Sequence, residues 1–172
     1  MNEDKINEQT AIEPEDRKFI PSAFHTIVYG GLTVGVLDAL AASLNTYVRS
    51  GATPDVVWHY VASGVIGRDA ASSGGTATVV LGLFFHFCVA FGVATGYYVL
   101  SRLIPVMLTF PFISGPLYGV SVYFFMGWVV VPLTAAPKLP FAVSGLVTGI
   151  ITHIVCVGSP PAFIARRFAK AA

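Results

Sequence analysis

The stretch TATVVLGLFFHFCVAFGVATGYYVL, Thr76 to Leu100, carries no charged side chain over its whole length. A helix needs about 20 predominantly apolar residues to cross the hydrocarbon core of a bilayer, and this run exceeds that. Three others match it: residues 24–48, whose only formal charge is Asp38, then 109–133 and 141–164. Helices satisfy their own backbone hydrogen bonds where no water can help, and the period-2 alternation of a membrane β-barrel is absent. The expected fold is therefore all-α, an integral membrane four-helix bundle over residues 23–165.

Composition agrees. The 172 residues are 55% hydrophobic and 11% charged, against about a quarter charged in ordinary soluble domains. Acidic residues crowd the start: Glu3, Asp4, Glu8, Glu13, Glu15 and Asp16 leave just Asp38, Asp55 and Asp69 for the rest. Residues 1–22 thus read as a polar tail, without the basic opening of a cleaved secretory signal. Residues 166–172 read as a short basic tail. No basic stripe interleaved with aromatics appears, so nucleic acid is not an expected partner.

An even number of spans puts both termini on one side. Lys5, Arg17, Lys18, Arg102, Arg166, Arg167 and Lys170 fall on that side and Arg49, Arg68 and Lys138 opposite, which predicts cytoplasmic termini. The longest connection contains TPDVVWHYVASGVIG, Thr53 to Gly67, with Pro54 placed for a first helical turn. It predicts a short amphipathic helix on the outer membrane face, anchored by Trp58 and Tyr60; a re-entrant lid over the bundle is the alternative. His59 reads as a solvated residue there.

Each span holds a small-xxx-small pair: Gly31/Gly35, Gly92/Gly96, Gly115/Gly119 and Gly145/Gly149. One in every helix points to close backbone packing, the usual association mode in lipid, and self-association is the other use of such faces. Following such glycines along each helix reaches polar or soft side chains: Asp38 and Asn45 in the first span, His86 four residues after Gly82 in the second, Tyr123 and Met126 in the third, His153 in the fourth. Helical rise puts Asp38, His86 and His153 at similar depth.

An ionisable group at mid-membrane is costly, so this layer is the candidate site for a proton, a small cation or a small ligand. The plainer reading is interhelical glue, with each buried polar group satisfied by a neighbour. Two further readings of the histidines are open. His86 and His153 can serve as axial ligands of a b-type haem, with Gly82 and Gly149 leaving room for the ring. A metal would need Cys88, Cys156 or Met126 as well; His153 and Cys156 can converge, but His86 and Cys88 point about 200° apart, so no metal is assigned. No GxSxG elbow, HExxH pair or phosphate loop is present, and a disulfide framework cannot be built.

Several segments are similar to a known group: VASGVIGRDAASSGG in the outer loop, LGLFFHF in the second span and SRLIP at its end. GPLYGVSVYFFM with VVVPL in the third span and HIVCVGSPPA near the end complete the set. Over residues 24–165 the chain resembles small bacterial inner-membrane proteins, distantly the YagU-like group, and His86, Pro132 and His153 fall on its pattern. The resemblance implies a four-span, multi-pass inner-membrane protein with no catalytic residues to carry over. A non-enzymatic protein with an Asp/His layer is the expectation; an accessory or structural subunit of a larger membrane complex, or a homo-oligomer, is the alternative.

Overall fold

The computed structural model describes residues 19–138 and 142–171. Among them four helices are long and apolar enough to cross a membrane: α1 (His25–Ser50), α4 (Gly75–Leu103), α6 (Pro111–Leu133) and α7 (Val143–Arg167). Short helices fill the connections: α2 (Asp55–Ile66), α3 (Arg68–Ser73) and α5 (Val106–Thr109). A two-residue antiparallel pairing joins β1 (Phe19–Ile20) to β2 (Lys170–Ala171). The all-α architecture with four apolar spans is as the hydropathy requires. Most of the expected polar tail, and the start of the fourth expected span at Phe141, lie outside the described residues.

Local chemistry sets the helix ends. α1 stops at Gly51, whose φ of 65° is left-handed and whose N–H bonds the Tyr47 carbonyl, a C-terminal arrangement that favours glycine. Gly67, with φ of 80°, makes the break between α2 and α3. α4 and α5 end on Ile104 and Phe110, each before a proline and each outside the helical region. Arg166 and Arg167, expected in a basic tail, instead form the last turn of α7.

Three spans are not regular α-helix throughout. Wide π turns occupy His25–Tyr29 at the start of α1, Met126–Val130 near the end of α6 and His153–Gly158 within α7. The last immediately precedes Ser159-Pro160-Pro161, where two missing N–H donors weaken the ladder. The Ser159 hydroxyl donates to the Ile154 carbonyl at 2.6 Å and takes up part of the deficit.

The spans are arranged in the order α6, α7, α1, α4. α1 packs on both α4 and α7, and α7 packs on α6, whereas the backbones of α4 and α6 stay apart and the two helices meet through side chains such as Tyr97 and Tyr118. We call the end holding β1 and β2 the terminal side and the end holding α2 the loop side. On the terminal side Tyr97, Leu108, Ala162 and Ala165 form a core with 0% exposure. Tyr97 shares a 2.9 Å hydrogen bond with Ser114, whose hydroxyl donates to the Met107 carbonyl. A second core, Val34, Ala90, Val122 and Val157, lies deeper in the bundle.

α2 sets one face against the bundle and leaves Val56, Val65 and Ile66 exposed. Trp58 is 6% exposed and Ala62 and Ser63 are buried, so the tryptophan is a packing residue and not an interfacial anchor. The reason is Gly82: a side chain there would collide with the Trp58 backbone, so its absence lets α2 lie directly on α4. The Ala135 N–H donates to the Gly64 carbonyl at 3.0 Å and ties α2 to the segment after α6.

Candidate functional site

A cavity of about 110 Å³ lies beneath α2 and between the spans. Every span contributes to its lining: Val34 and Asp38 from α1, His86, Val89, Ala90 and Val93 from α4, Val122 and Met126 from α6, His153 and Val157 from α7. Val61 of α2 completes it on the loop side. Counted from the terminal-side helix ends, Asp38, Met126, His153 and His86 sit roughly 20 to 25 Å up at 1.5 Å per residue, as their positions within the four helices require.

Each histidine is committed at one nitrogen. His86 Nε2–H donates to the Gly35 carbonyl of α1 at 2.9 Å, a bond between helices. Its ring also meets the edge of Trp58, with centroids 5.4 Å apart. His153 Nδ1–H donates to the Gly149 carbonyl of its own helix at 2.9 Å, and Tyr123 stands edge-on to the ring at 5.1 Å. In the neutral state the other nitrogen of each ring, Nδ1 of His86 and Nε2 of His153, keeps its lone pair. Asp38 has no hydrogen-bond or ion-pair partner among the described residues. The three groups line one wall space without meeting, and no three His, Cys, Asp or Glu among the described residues are grouped to hold a metal ion.

The other expected site residues fall differently. Asn45 is exposed and does not line the cavity. Tyr123 touches His153 and fills the notch at Gly149, but stays outside the lining. Cys156 packs against the valine core and Cys88 is exposed. Val157, four residues on and so on the same helix face, follows His153 into the cavity, and Cys156 does not line it.

Six of the eight stripe glycines meet a neighbouring element. Gly31 and Gly35 face the rings of Phe91 and Phe87, Gly96 the Tyr118 hydroxyl, and Gly149 the Tyr123 ring. Gly115 and Gly119 meet α7 at Gly158, Ser159 and the His153 carbonyl. Gly92 has nothing within 4 Å and Gly145 only Ala142 of its own segment, so these two are not packing positions within the bundle. Gly82 and Gly158, outside the stripes, make closer approaches than either.

The residues do not fit a haem. The room expected beside Gly82 is taken by the Trp58 backbone and that beside Gly149 by the Tyr123 ring. His86 Nε2, the usual axial ligand atom, is turned to a carbonyl instead. Seen chemically, the cavity offers one carboxyl and two ring nitrogens in apolar walls, with room for a few waters or a ligand of a handful of heavy atoms.

On the loop side polar contacts fasten the roof. His59 Nδ1 and the Thr78 hydroxyl lie 2.8 Å apart, and His59 Nε2 is 3.8 Å from the exposed Asp55 carboxylate. The Thr53 hydroxyl holds the Asp55 carboxyl below its usual range, and His59 adds to this. Burial pushes the Tyr60 phenol up. Arg49 donates to Ser144 Oγ at 2.8 Å and Thr148 Oγ1 at 3.2 Å, linking the loop-side ends of α1 and α7.

Sequence reasoning missed Val61 and misplaced Trp58. Two signals were present: the tryptophan itself, costly to leave in water, and Gly82 one turn before His86. No protein-family model, curated protein or solved structure matches this chain.

Proposed function

We propose that the chain is a non-enzymatic, multi-pass protein of the bacterial inner membrane, with cytoplasmic termini, whose Asp38/His86/His153 cavity takes up a proton together with a small ligand. One observation carries this reading: Asp38, without a partner, faces the same cavity as two half-committed imidazoles, each from a different span. A bare carboxylate at that depth is expensive. A proton held on Asp38 or on either imidazole removes the cost. A dehydrated metal ion is less well served, since the groups do not converge. The test is pH-driven flux in proteoliposomes containing the full chain. Asp38→Asn is expected to abolish the pH dependence while the protein remains folded, and wild-type behaviour of that variant would defeat the proposal.

A second reading, an accessory subunit or homo-oligomer, is favoured by Gly92 and Gly127, which face outward with nothing within 4 Å. Native mass spectrometry from the source membrane decides it: a bare monomer speaks against a partner, and a stable oligomer that Gly92→Leu disperses speaks for one.

A further inference from the structure

The cavity is closed in most directions. Toward the terminal side stand Tyr97, Leu108, Ala162 and Ala165, none of them exposed. Toward the loop side lies α2, seated on Gly82 and bonded through Gly64. Between α1 and α4 the Phe87 and Phe91 rings fill the space over Gly35 and Gly31, and α6 and α7 meet through Gly119 and Gly158.

The remaining side is between α4 and α6, whose backbones stay apart and which meet through side chains, Tyr97 with Tyr118 and Ala90 with Val122. On the terminal side of that gap an apolar groove of about 460 Å³ opens, walled in part by Leu100 of α4, Met107 of α5, Phe110, and Ile113 and Leu117 of α6. Its hydroxyls are already used. Ser114 donates to the Met107 carbonyl, Ser121 to the Leu117 carbonyl, and Tyr118 to the Val93 carbonyl at 2.7 Å. The groove therefore presents an apolar face to an occupant. Tyr118 is the residue that bridges the two helices: it lines the groove, packs against both core clusters, and bonds Val93, which lines the cavity.

We infer that the cavity is entered sideways from the bilayer, through a portal between α4 and α6 that Tyr118 closes, and that its ligand is a membrane-dissolved amphiphile, a small apolar body with one hydrogen-bonding head. The head meets Asp38 and the histidines and the body follows the groove. Hydrated ions are excluded because the route is walled mainly by apolar side chains and offers too few oxygen lone pairs to replace their water. The inference rests on the reading of the cavity as a binding site and names its ligand class and its route.

The test uses the full chain in lipid nanodiscs with Cys88→Ser and Cys156→Ser, and Met126→Cys as the reporter in the cavity. Two thiol reagents are compared: uncharged N-ethylmaleimide, which partitions into lipid, and the charged sulfonatoethyl methanethiosulfonate. N-ethylmaleimide is expected to label the reporter slowly and the charged reagent not at all. Tyr118→Phe, which deletes only the hydroxyl, is expected to raise the N-ethylmaleimide rate about five-fold, the change in open population from losing one hydrogen bond. Tyr118→Ala is expected to raise it further. Equal labelling by the charged reagent, or a rate indifferent to both Tyr118 variants, overturns the proposal. Val89→Cys serves as a second reporter if Met126→Cys does not fold. Labelling is compared at one fixed pH in the Asp38 background, and pH-driven flux is read separately on the Asp38→Asn chain, so failure of the portal and failure of proton uptake are told apart.

Discussion

The two ends of the bundle are built on opposite principles. On the terminal side large side chains are buried completely and hydroxyls bond across helices, as in the Tyr97, Ser114 and Met107 set. On the loop side the first ten residues of α7, Val143–Thr152, bury nothing. Arg49 holds that segment by hydroxyl contacts, and a short helix roofs the space left between the spans. Stability is thus concentrated at one end and room for a ligand at the other. Elements that move are drawn from the less stable part of a structure, which assigns the loop-side half of α7 to that class.

This contrast can be broken in order of expected effect. Tyr97→Ala removes a completely buried ring from the dense end and should cost about 3 to 5 kcal/mol of stability, read as a large fall in the melting temperature of the protein in nanodiscs. Gly82→Val forces the Trp58 backbone off α4 and should cost about 1 to 3 kcal/mol by overpacking. Its signature is local: with Trp128→Phe leaving Trp58 as the single tryptophan, the emission should shift to the red as α2 lifts, with little change at the terminal side. An unshifted emission would mean that the roof does not depend on that notch.

Smaller effects sharpen the same division. His59→Ala deletes the contact to Thr78 and should loosen α2 by about 1 kcal/mol, seen as faster amide exchange over residues 55–66 alone. Smallest is a pH effect at Asp55, which is fully exposed. Its carboxyl is depressed in the folded state, chiefly by Thr53. The stabilisation is therefore present above the unfolded value of about 3.9 and lost as pH falls through the lower folded value. Exchange over α2 should rise below about pH 4, and Thr53→Val should flatten that rise.

What the sequence revealed, and what it hid, follows the same line. The four spans were legible because each is set by an uninterrupted apolar run, a property of the chain and not of its packing. Asp38, His86, Met126 and His153 could be placed on inward faces because each lies a whole number of turns from a packing glycine. Beyond His153 the same four-residue step leads to Val157, which lines the cavity but carries no polar signal in the sequence. α2 was legible as a helix from Pro54 and its spacing. Its depth was not, because Trp58 serves equally at a membrane surface or against a glycine notch, and only the pairing with Gly82 decides between them. Gly92 and Gly145 show the converse, since a small residue permits close approach without causing it.

The pairing of Phe19–Ile20 with Lys170–Ala171, continued in the stacking of His25 on Phe168 at 4.1 Å, has a consequence for biogenesis. α1 finds a principal neighbour in α7, which is synthesised well after it. At about 5 to 20 residues per second the chain between them takes several seconds or more to synthesise. During that interval the aspartate of α1 faces lipid, the insertion machinery or an unfinished bundle, and assembly closes only when the carboxyl end is delivered.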